Sequence, residues 1–233
     1  MAGESALLKT SEIFESLQGE GVSIGSPAIF VRLAQCNLHC VWCDTKYTWD
    51  FERYRYEEEV HERSVADVAQ IVNASTSRRL ILTGGEPLLQ QRALKDFFAR
   101  LATDILVEVE TNGTIAPEPE SLRRVNQWNV SAKLSSAGDP EQFRIRPEVL
   151  GAFRDTACAY LKLVVRTDAD YAEADALVSR LHWPSDRVLL MPEANDREQL
   201  RTRSLRVAEA AHARGFRFSS RLHLELWGGR RGT

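Results

Sequence analysis

No apolar stretch in this sequence approaches the ~20 residues that a membrane-spanning helix needs. The start, Met1-Ala-Gly-Glu-Ser5, lacks the charged-then-apolar pattern of a secretory leader. The expectation is therefore a soluble protein with no membrane partner, located in the cytoplasm. An excess of charge of one sign is missing too. Lys and Arg number 30 against 33 Asp and Glu, so no basic footprint for nucleic acid is present. Repeats and low-complexity segments are absent. Cysteine is scarce, with four residues in 233, which argues against a disulfide-built scaffold in a chain long enough for one substantial core. One domain over residues 1–233 is the simplest division.

Short apolar runs alternate with segments of helical periodicity. Strands are expected at Ala28–Leu33, Leu80–Thr83, Ile105–Glu110, Trp128–Ser131, Tyr160–Val165 and Arg187–Met191, with a seventh at Phe216–Leu226. Helices are expected from the capped start Ser64-Val-Ala-Asp67, and over Gln91–Leu101, Asp168–Leu181 and Asn195–Arg214, the last stopped by Gly215. This alternation predicts βα units and a mainly parallel sheet, with strands covered on both faces. Periodicity alone does not choose between an open doubly wound sheet and an incomplete barrel. The polar stretch Trp49–Arg63 reads as an insertion.

Three of the four cysteines fall within eight residues, Cys36-Asn-Leu-His-Cys40-Val-Trp-Cys43, directly after the apolar run Ile29–Ala34. Three thiolates from one loop suit zinc or an iron–sulfur cluster. A zinc site would take His39 or Cys158 as fourth ligand, although structural zinc sites usually draw on two separated pairs. A four-iron cluster held by three thiolates leaves one iron open to a small molecule. Cys158 stands alone at the start of an apolar run and reads as a buried packing residue.

In parallel βα architectures reactive groups gather where strands end. The strand ends here read Thr83-Gly84-Gly85-Glu86-Pro87, Glu110-Thr-Asn-Gly113, Ser131-Ala132-Lys133 and Met191-Pro192-Glu193-Ala194, each turn-like and polar. The glycine pair permits close backbone approach, or is simply a strand-to-helix turn. Leu17-Gln18-Gly19 combines an amide with backbone donors and acceptors suited to a heterocycle edge. Arg32 lies inside an apolar strand and needs a partner, either a substrate carboxylate or a structural Asp or Glu. Lys162, mid-strand, is an inward polar group or an edge charge. Arg230-Arg231 and Glu57–Glu59 read as solvated faces.

Cys36, Cys40 and Cys43, followed one βα unit later by Gly84-Gly85-Glu86-Pro87, resemble the radical S-adenosylmethionine (SAM) enzymes, and Trp42 matches the aromatic position before the last cysteine. Glu12-Ile-Phe-Glu-Ser-Leu-Gln-Gly-Glu-Gly21, Cys43-Asp44-Thr45 and Glu110–Thr114 narrow the resemblance to the 7-carboxy-7-deazaguanine synthases of deazapurine (queuosine-type) biosynthesis. The resemblance implies an incomplete (β/α) barrel of about six parallel strands and an enzyme, a radical SAM lyase that contracts 6-carboxy-5,6,7,8-tetrahydropterin with loss of ammonia. It implies a [4Fe–4S] cluster on Cys36, Cys40 and Cys43, with Mg2+ at Thr45. It places SAM against Trp42, Cys43, Asp44, Gly85, Ser131, Ala132, Lys133, Met191, Pro192, Glu193 and Ala194. It places the pterin against Leu17, Gln18, Gly19, Arg32 and Thr83. An external flavodoxin- or ferredoxin-type electron donor and a homodimer complete the set. Two departures stand out: Ala132 replaces the Pro of a Ser-Pro-Lys turn, and the Pro that some members carry near the chain end is missing. Two rival readings share the triplet, a radical SAM activase acting on a protein and a non-enzymatic zinc-binding module.

Overall fold

Several strands of this chain carry apolar residues on one face and polar residues on the other, and that division places the reactive groups. The computed structural model describes residues 6–233; Met1–Ser5, read above for a leader pattern, lie outside the described residues. Nine strands form one sheet: β1 (Leu7–Leu17), β2 (Pro27–Leu33), β3 (His61–Ser64), β4 (Arg79–Gly84), β5 (Leu106–Thr111), β6 (Gln127–Val130), β7 (Ala159–Val165), β8 (Val188–Pro192) and β9 (Arg217–Phe218). Their order is β3-β1-β2-β4-β5-β6-β7-β8-β9. From β2 to β9 all pairings are parallel, and β1 is antiparallel to both β2 and β3.

Strand order settles the choice that periodicity left open. Each parallel strand lies beside the next one in the chain, with no reversal of direction across the sheet, which is barrel winding and not a doubly wound sheet. Closure is incomplete because β9 and β3 do not pair. Across that gap the backbone N–H of Leu222 donates to Gly19 O at 2.8 Å, and that of Gly21 donates to Ser219 Oγ at 2.8 Å.

The expected helices form at Val65–Ala74, Gln91–Arg100, Asp168–Leu181 and Arg197–Ala213, and shorter ones at Pro119–Arg124 and Pro147–Arg154 complete the crossovers. Ser64 Oγ accepts from Asp67 N at 3.0 Å, the expected cap, and Val65, Val68, Ala69 and Val72 face the sheet. Gly215 has φ +66°, the left-handed backbone a helix stop requires. The main core lies between these helices and the outward strand residues, among them Val107, Val109, Trp128, Val130, Leu161 and Leu163. Trp128 packs edge-on against Phe153 with ring centroids 5.1 Å apart.

Strands β2, β4 and β8 carry apolar residues on both faces, as their Val, Leu and Ile content suggests, whereas β5 and β7 turn Glu108, Glu110 and Lys162 inward. Three expectations need correction. The proposed strand Phe216–Leu226 is only Arg217–Phe218, after which Leu222–Trp227 is helical, ended by Gly228 at φ +63°. The alternating Leu222, Leu224 and Leu226 imitate a strand, but that segment packs as a single helical stretch with Leu224 inward. The stretch Trp49–Arg63 ends in an edge strand, β3, paired with a first strand that was read only as a motif. Arg231 is not solvated in isolation but lies 3.7 Å from the Tyr47 ring centroid.

Candidate active site

The inward faces of the strands converge on one cavity lined by Phe14, Gln18, Phe30, Arg32, Thr83, Glu110, Ser131, Lys162, Val164 and Met191, and by the cysteine loop above them. Alternation explains this set. Along β5, Val107 and Val109 face the core while Glu108 and Glu110 face the lumen, and along β7 Lys162 is inward between Leu161 and Leu163.

Entry to the cysteine loop passes through Gln35, held in a left-handed conformation at φ 75°. Its N–H donates to Thr48 O at 2.7 Å and its carbonyl accepts from Glu86 N at 2.8 Å, which fixes this costly turn. The Gly84-Gly85 pair is explained here. A Cβ on Gly84 would meet Leu33 O at 2.0 Å, and one on Gly85 would meet Gln35 O at 2.0 Å. The close approach that glycine permits is thus to the cysteine loop's own backbone. Fully buried Glu86 accepts from Leu88 N at 2.9 Å, Thr111 Oγ at 2.8 Å and Asn112 N at 2.7 Å, locking this turn to Glu110–Thr114. Asn112 in turn donates to Asn37 Oδ1 at 2.9 Å.

Burial pushes the Cys36 thiol up to about 12 and the Cys40 thiol up to about 11. Binding to a metal would hold such groups as thiolates near neutrality. Donors approach the sulfurs: Leu38 N lies 3.5 Å from Cys36 Sγ, and Trp49 Nε1 lies 3.4 Å from Cys43 Sγ. Such N–H···S contacts tune iron–sulfur clusters. His39 is exposed, stacked on Trp49 at 4.8 Å, and Cys158 packs at the far end of the core beside β7. Neither supplies a fourth ligand. The donor set fits a cluster with one open iron, and the buried Trp42 indole N–H has no partner among the described residues.

A charged cluster lines the same cavity as the cysteines. Glu20 pairs with Lys162 and accepts from Arg221 Nε at 3.1 Å, and Arg221 also reaches Asp44 and the Ala194 carbonyl. Burial acts to raise the Glu20 carboxyl, but the charges of Lys162 and Arg221 outweigh it and hold it far below the usual range. Glu20, Asp44 and His223 bring ligand atoms within 4.8 Å of one another, yet these two internal cations already neutralise the carboxylates. The floor is a second network: buried Glu108 accepts from Gln18 Nε2 at 2.9 Å and Ser23 Oγ at 2.6 Å, and pairs with Arg79 at 3.0 Å.

This arrangement has known counterparts. The family model of the radical SAM superfamily matches residues 31–205. The chain is 39% identical over 226 residues to the 7-carboxy-7-deazaguanine synthase of Pyrobaculum aerophilum, covering 97% of each chain. It is 33% identical to that of Halobacterium salinarum, covering 97% of this chain and 92% of the relative. The chain belongs to this radical SAM family. Its fold also matches the crystal structure of QueE from Escherichia coli, with a TM-score of 0.68, 26% identity and coverage of 93% of this chain and 95% of that one. The family's common equipment, an iron–sulfur cluster and SAM, is therefore the equipment of this site.

Most of the residues singled out in the sequence line the one cavity: Leu17, Gln18, Gly19, Arg32, Cys36, Cys40, Trp42, Cys43, Asp44, Thr45, Thr83, Gly85, Ser131, Lys133, Met191 and Glu193. Ala132, Pro192 and Ala194 are buried behind it and do not line it. Some lining groups are already engaged. Gln18 donates to Glu108 and, at 3.3 Å, to Glu110, and its backbone N–H and C=O pair with Ser26 and Gly25. Glu193 pairs with Arg203. Lys133 Nζ donates to Ser131 Oγ at 2.8 Å and lies 5.6 Å from the centre of the Trp42 ring. Sequence reasoning gave no site role to Glu20, Arg221 or His223. The signal for Glu20 lay in the motif Glu12–Gly21, but Arg221 and His223 follow a strand that was expected to continue through them.

Proposed function

We propose that the protein is the radical SAM lyase that converts 6-carboxy-5,6,7,8-tetrahydropterin into 7-carboxy-7-deazaguanine with loss of ammonia, in deazapurine (queuosine-type) biosynthesis. The observation that carries this reading is the meeting, in one cavity, of the cysteine triplet with a cationic side chain, Arg32, and a hydrogen-bonding lumen. When bound, the cluster and SAM supply one-electron cleavage of SAM and the removal of a hydrogen atom from the carbon that bears the substrate carboxylate. Cys36, Cys40 and Cys43 hold the cluster. The groups assigned to SAM are Ser131, Lys133, whose Nζ donates to Ser131 Oγ, and Trp42, whose indole N–H is unpartnered among the described residues.

Arg32 reads the substrate carboxylate. Its Nε is anchored on Glu12 at 2.8 Å, and it lines the cavity. Glu110, which accepts from Thr83 Oγ at 2.8 Å, lines the same cavity together with Leu17, Gln18 and Gly19 and faces the heterocycle. Pterins present N–H donors along one edge, and a carboxylate such as that of Glu110 answers them. Walls from β1, β2, β4, β5, β7 and β8 exclude water from the reacting carbon. Mg2+ at Thr45, whose hydroxyl lies 3.6 Å from Cys43 Sγ, belongs to the same reading. So do a single domain, an external flavodoxin- or ferredoxin-type donor, a homodimer and a cytoplasmic location.

The test is anaerobic. With reductant, SAM and 6-carboxytetrahydropterin, the reconstituted protein should form 7-carboxy-7-deazaguanine and ammonia in equal amounts. SAM cleavage with no such product, in a preparation whose iron and acid-labile sulfide are verified, would favour an activase acting on a protein.

A further inference from the structure

Arg32 stands on β2 directly opposite Glu12 of β1, and a bulge creates that pairing. The register shifts between Thr10 and Glu12, so Thr10 opposes Leu33 and Glu12 opposes Arg32, leaving Ser11 without a partner. In an unbroken ladder Ser11 would face Arg32 and Glu12 would point to the other side of the sheet. As built, Glu12 sits behind Arg32 and does not line the cavity. Its Oε2 accepts from Arg32 Nε at 2.8 Å and from the Tyr47 hydroxyl at 2.6 Å. Its Oε1 accepts from Arg231 Nε at 3.2 Å. Arg231 comes from the segment after the last helix, lies 3.7 Å from the Tyr47 ring centroid and is tied to Glu59 Oε2 at 2.7 Å.

We infer that Glu12 is a positioning residue that aims Arg32 at the substrate carboxylate, and that Arg231 completes the support. The segment Gly228–Thr233 thereby contributes to selectivity for carboxylated pterins. The inference rests on the reading of Arg32 given under Proposed function. Among the described residues only Nε of Arg32 is hydrogen-bonded, which leaves both terminal nitrogens for a ligand. A guanidinium held by Nε presents the remaining pair as a planar fork, the geometry that accepts a carboxylate bidentately. Glu12 already carries three donors and does not line the cavity, so it does not touch substrate. Its role is orientation.

The experiment uses cluster-loaded protein with SAM and compares binding of 6-carboxypterin with that of pterin, which lacks the carboxylate, by anaerobic calorimetry. The wild-type protein should prefer 6-carboxypterin, and Arg32→Ala should erase the preference. Glu12→Gln should reduce it about five- to tenfold while leaving pterin binding unchanged. Arg231→Ala, a change at a half-exposed residue, should reduce it about two- to threefold. A Glu12→Gln protein that keeps the full preference, beside an Arg32→Ala protein that has lost it, overturns the positioning role and leaves Arg32 as the reader. If the wild type shows no preference, or Arg32→Ala retains it, the reading of Arg32 itself fails. If Glu12→Gln does not load cluster, Arg231→Ala decides, and an unchanged preference there refutes the inference.

Discussion

The two faces of the same strands follow opposite rules. Outward, Val107, Val109, Trp128, Val130, Leu161 and Leu163 pack against helices, and apolar side chains of similar volume and shape would serve. Inward, Glu108, Glu110, Asn129 and Lys162 occupy the alternate positions, all at least partly buried and all satisfied by specific partners. Buried charges cost free energy even when paired. The outer face therefore contributes most of the stability, and the inner face sacrifices some of it to hold reacting groups in place. Substitutions on the two faces should separate into losses of fold and losses of chemistry.

The largest expected effect breaks the chemistry without touching the outer face. Replacing Cys36, Cys40 or Cys43 by Ala should abolish SAM cleavage together with iron and sulfide content. Cys158→Ala, at a position packed against the main core, should leave both intact. A cluster lost only with Cys158 would reverse the ligand assignment.

Next in size is an outer-face change. Trp128→Ala removes a fully buried ring packed on Phe153 and should cost about 3–5 kcal/mol in denaturant unfolding. The preparation that remains folded should bind 6-carboxypterin normally. A selective loss of ligand affinity at unchanged stability would blur the distinction between the faces.

On the inner face, Arg32→Ala should weaken pterin binding by about one to two orders of magnitude, the value of a charge-assisted contact, with cluster and SAM binding retained. Gln18→Ala should weaken pterin binding and also destabilise by about 1–3 kcal/mol, because buried Glu108 loses a donor at 2.9 Å. Thr45→Val should shrink any rise in turnover with added Mg2+. A rate indifferent to both Mg2+ and chelation would remove the metal from the account.

The smallest effect concerns pH. Burial acts to raise the Glu12 carboxyl, but the Tyr47 hydrogen bond and the charges of Arg32 and Arg231 outweigh it and hold the group below its ordinary 4.5. A carboxyl depressed in the folded state adds stability that is present above its unfolded pKa and lost as pH falls through its folded one. The difference in melting temperature between the wild-type protein and Glu12→Gln should thus be full above about pH 5 and vanish in more acidic buffer. A difference that persists unchanged at low pH would show that Glu12 acts by shape alone.

The outer face was the legible one. Apolar runs ending in Gly, Pro and polar turns located β2 and β4–β8 to within a residue or two, and helix periodicity located the crossovers. The inner face was only half legible. Glu108-Val-Glu110 and Trp128-Asn-Val130 carry the alternation openly, but a single polar residue such as Lys162 within an apolar run does not announce its direction. β1 escaped because Leu7–Leu17 mixes polar and apolar residues around a bulge, so its alternation breaks at Ser11. β3 escaped because four polar residues at a sheet edge have no apolar signal. The cysteine triplet and the glycine pair were readable as motifs. That the glycines serve the cysteine loop's own backbone was not, since only the fold brings Leu33, Gln35 and Gly85 together.

The account stands on one cavity serving both the radical-generating loop and the pterin-reading lumen, and isotope transfer tests that directly. Substrate carrying deuterium on the carbon that bears the carboxylate should pass its label to the 5′-position of the adenosyl group during turnover, as read by mass spectrometry. Label that stays in the pterin or escapes to water while SAM is consumed would contradict it.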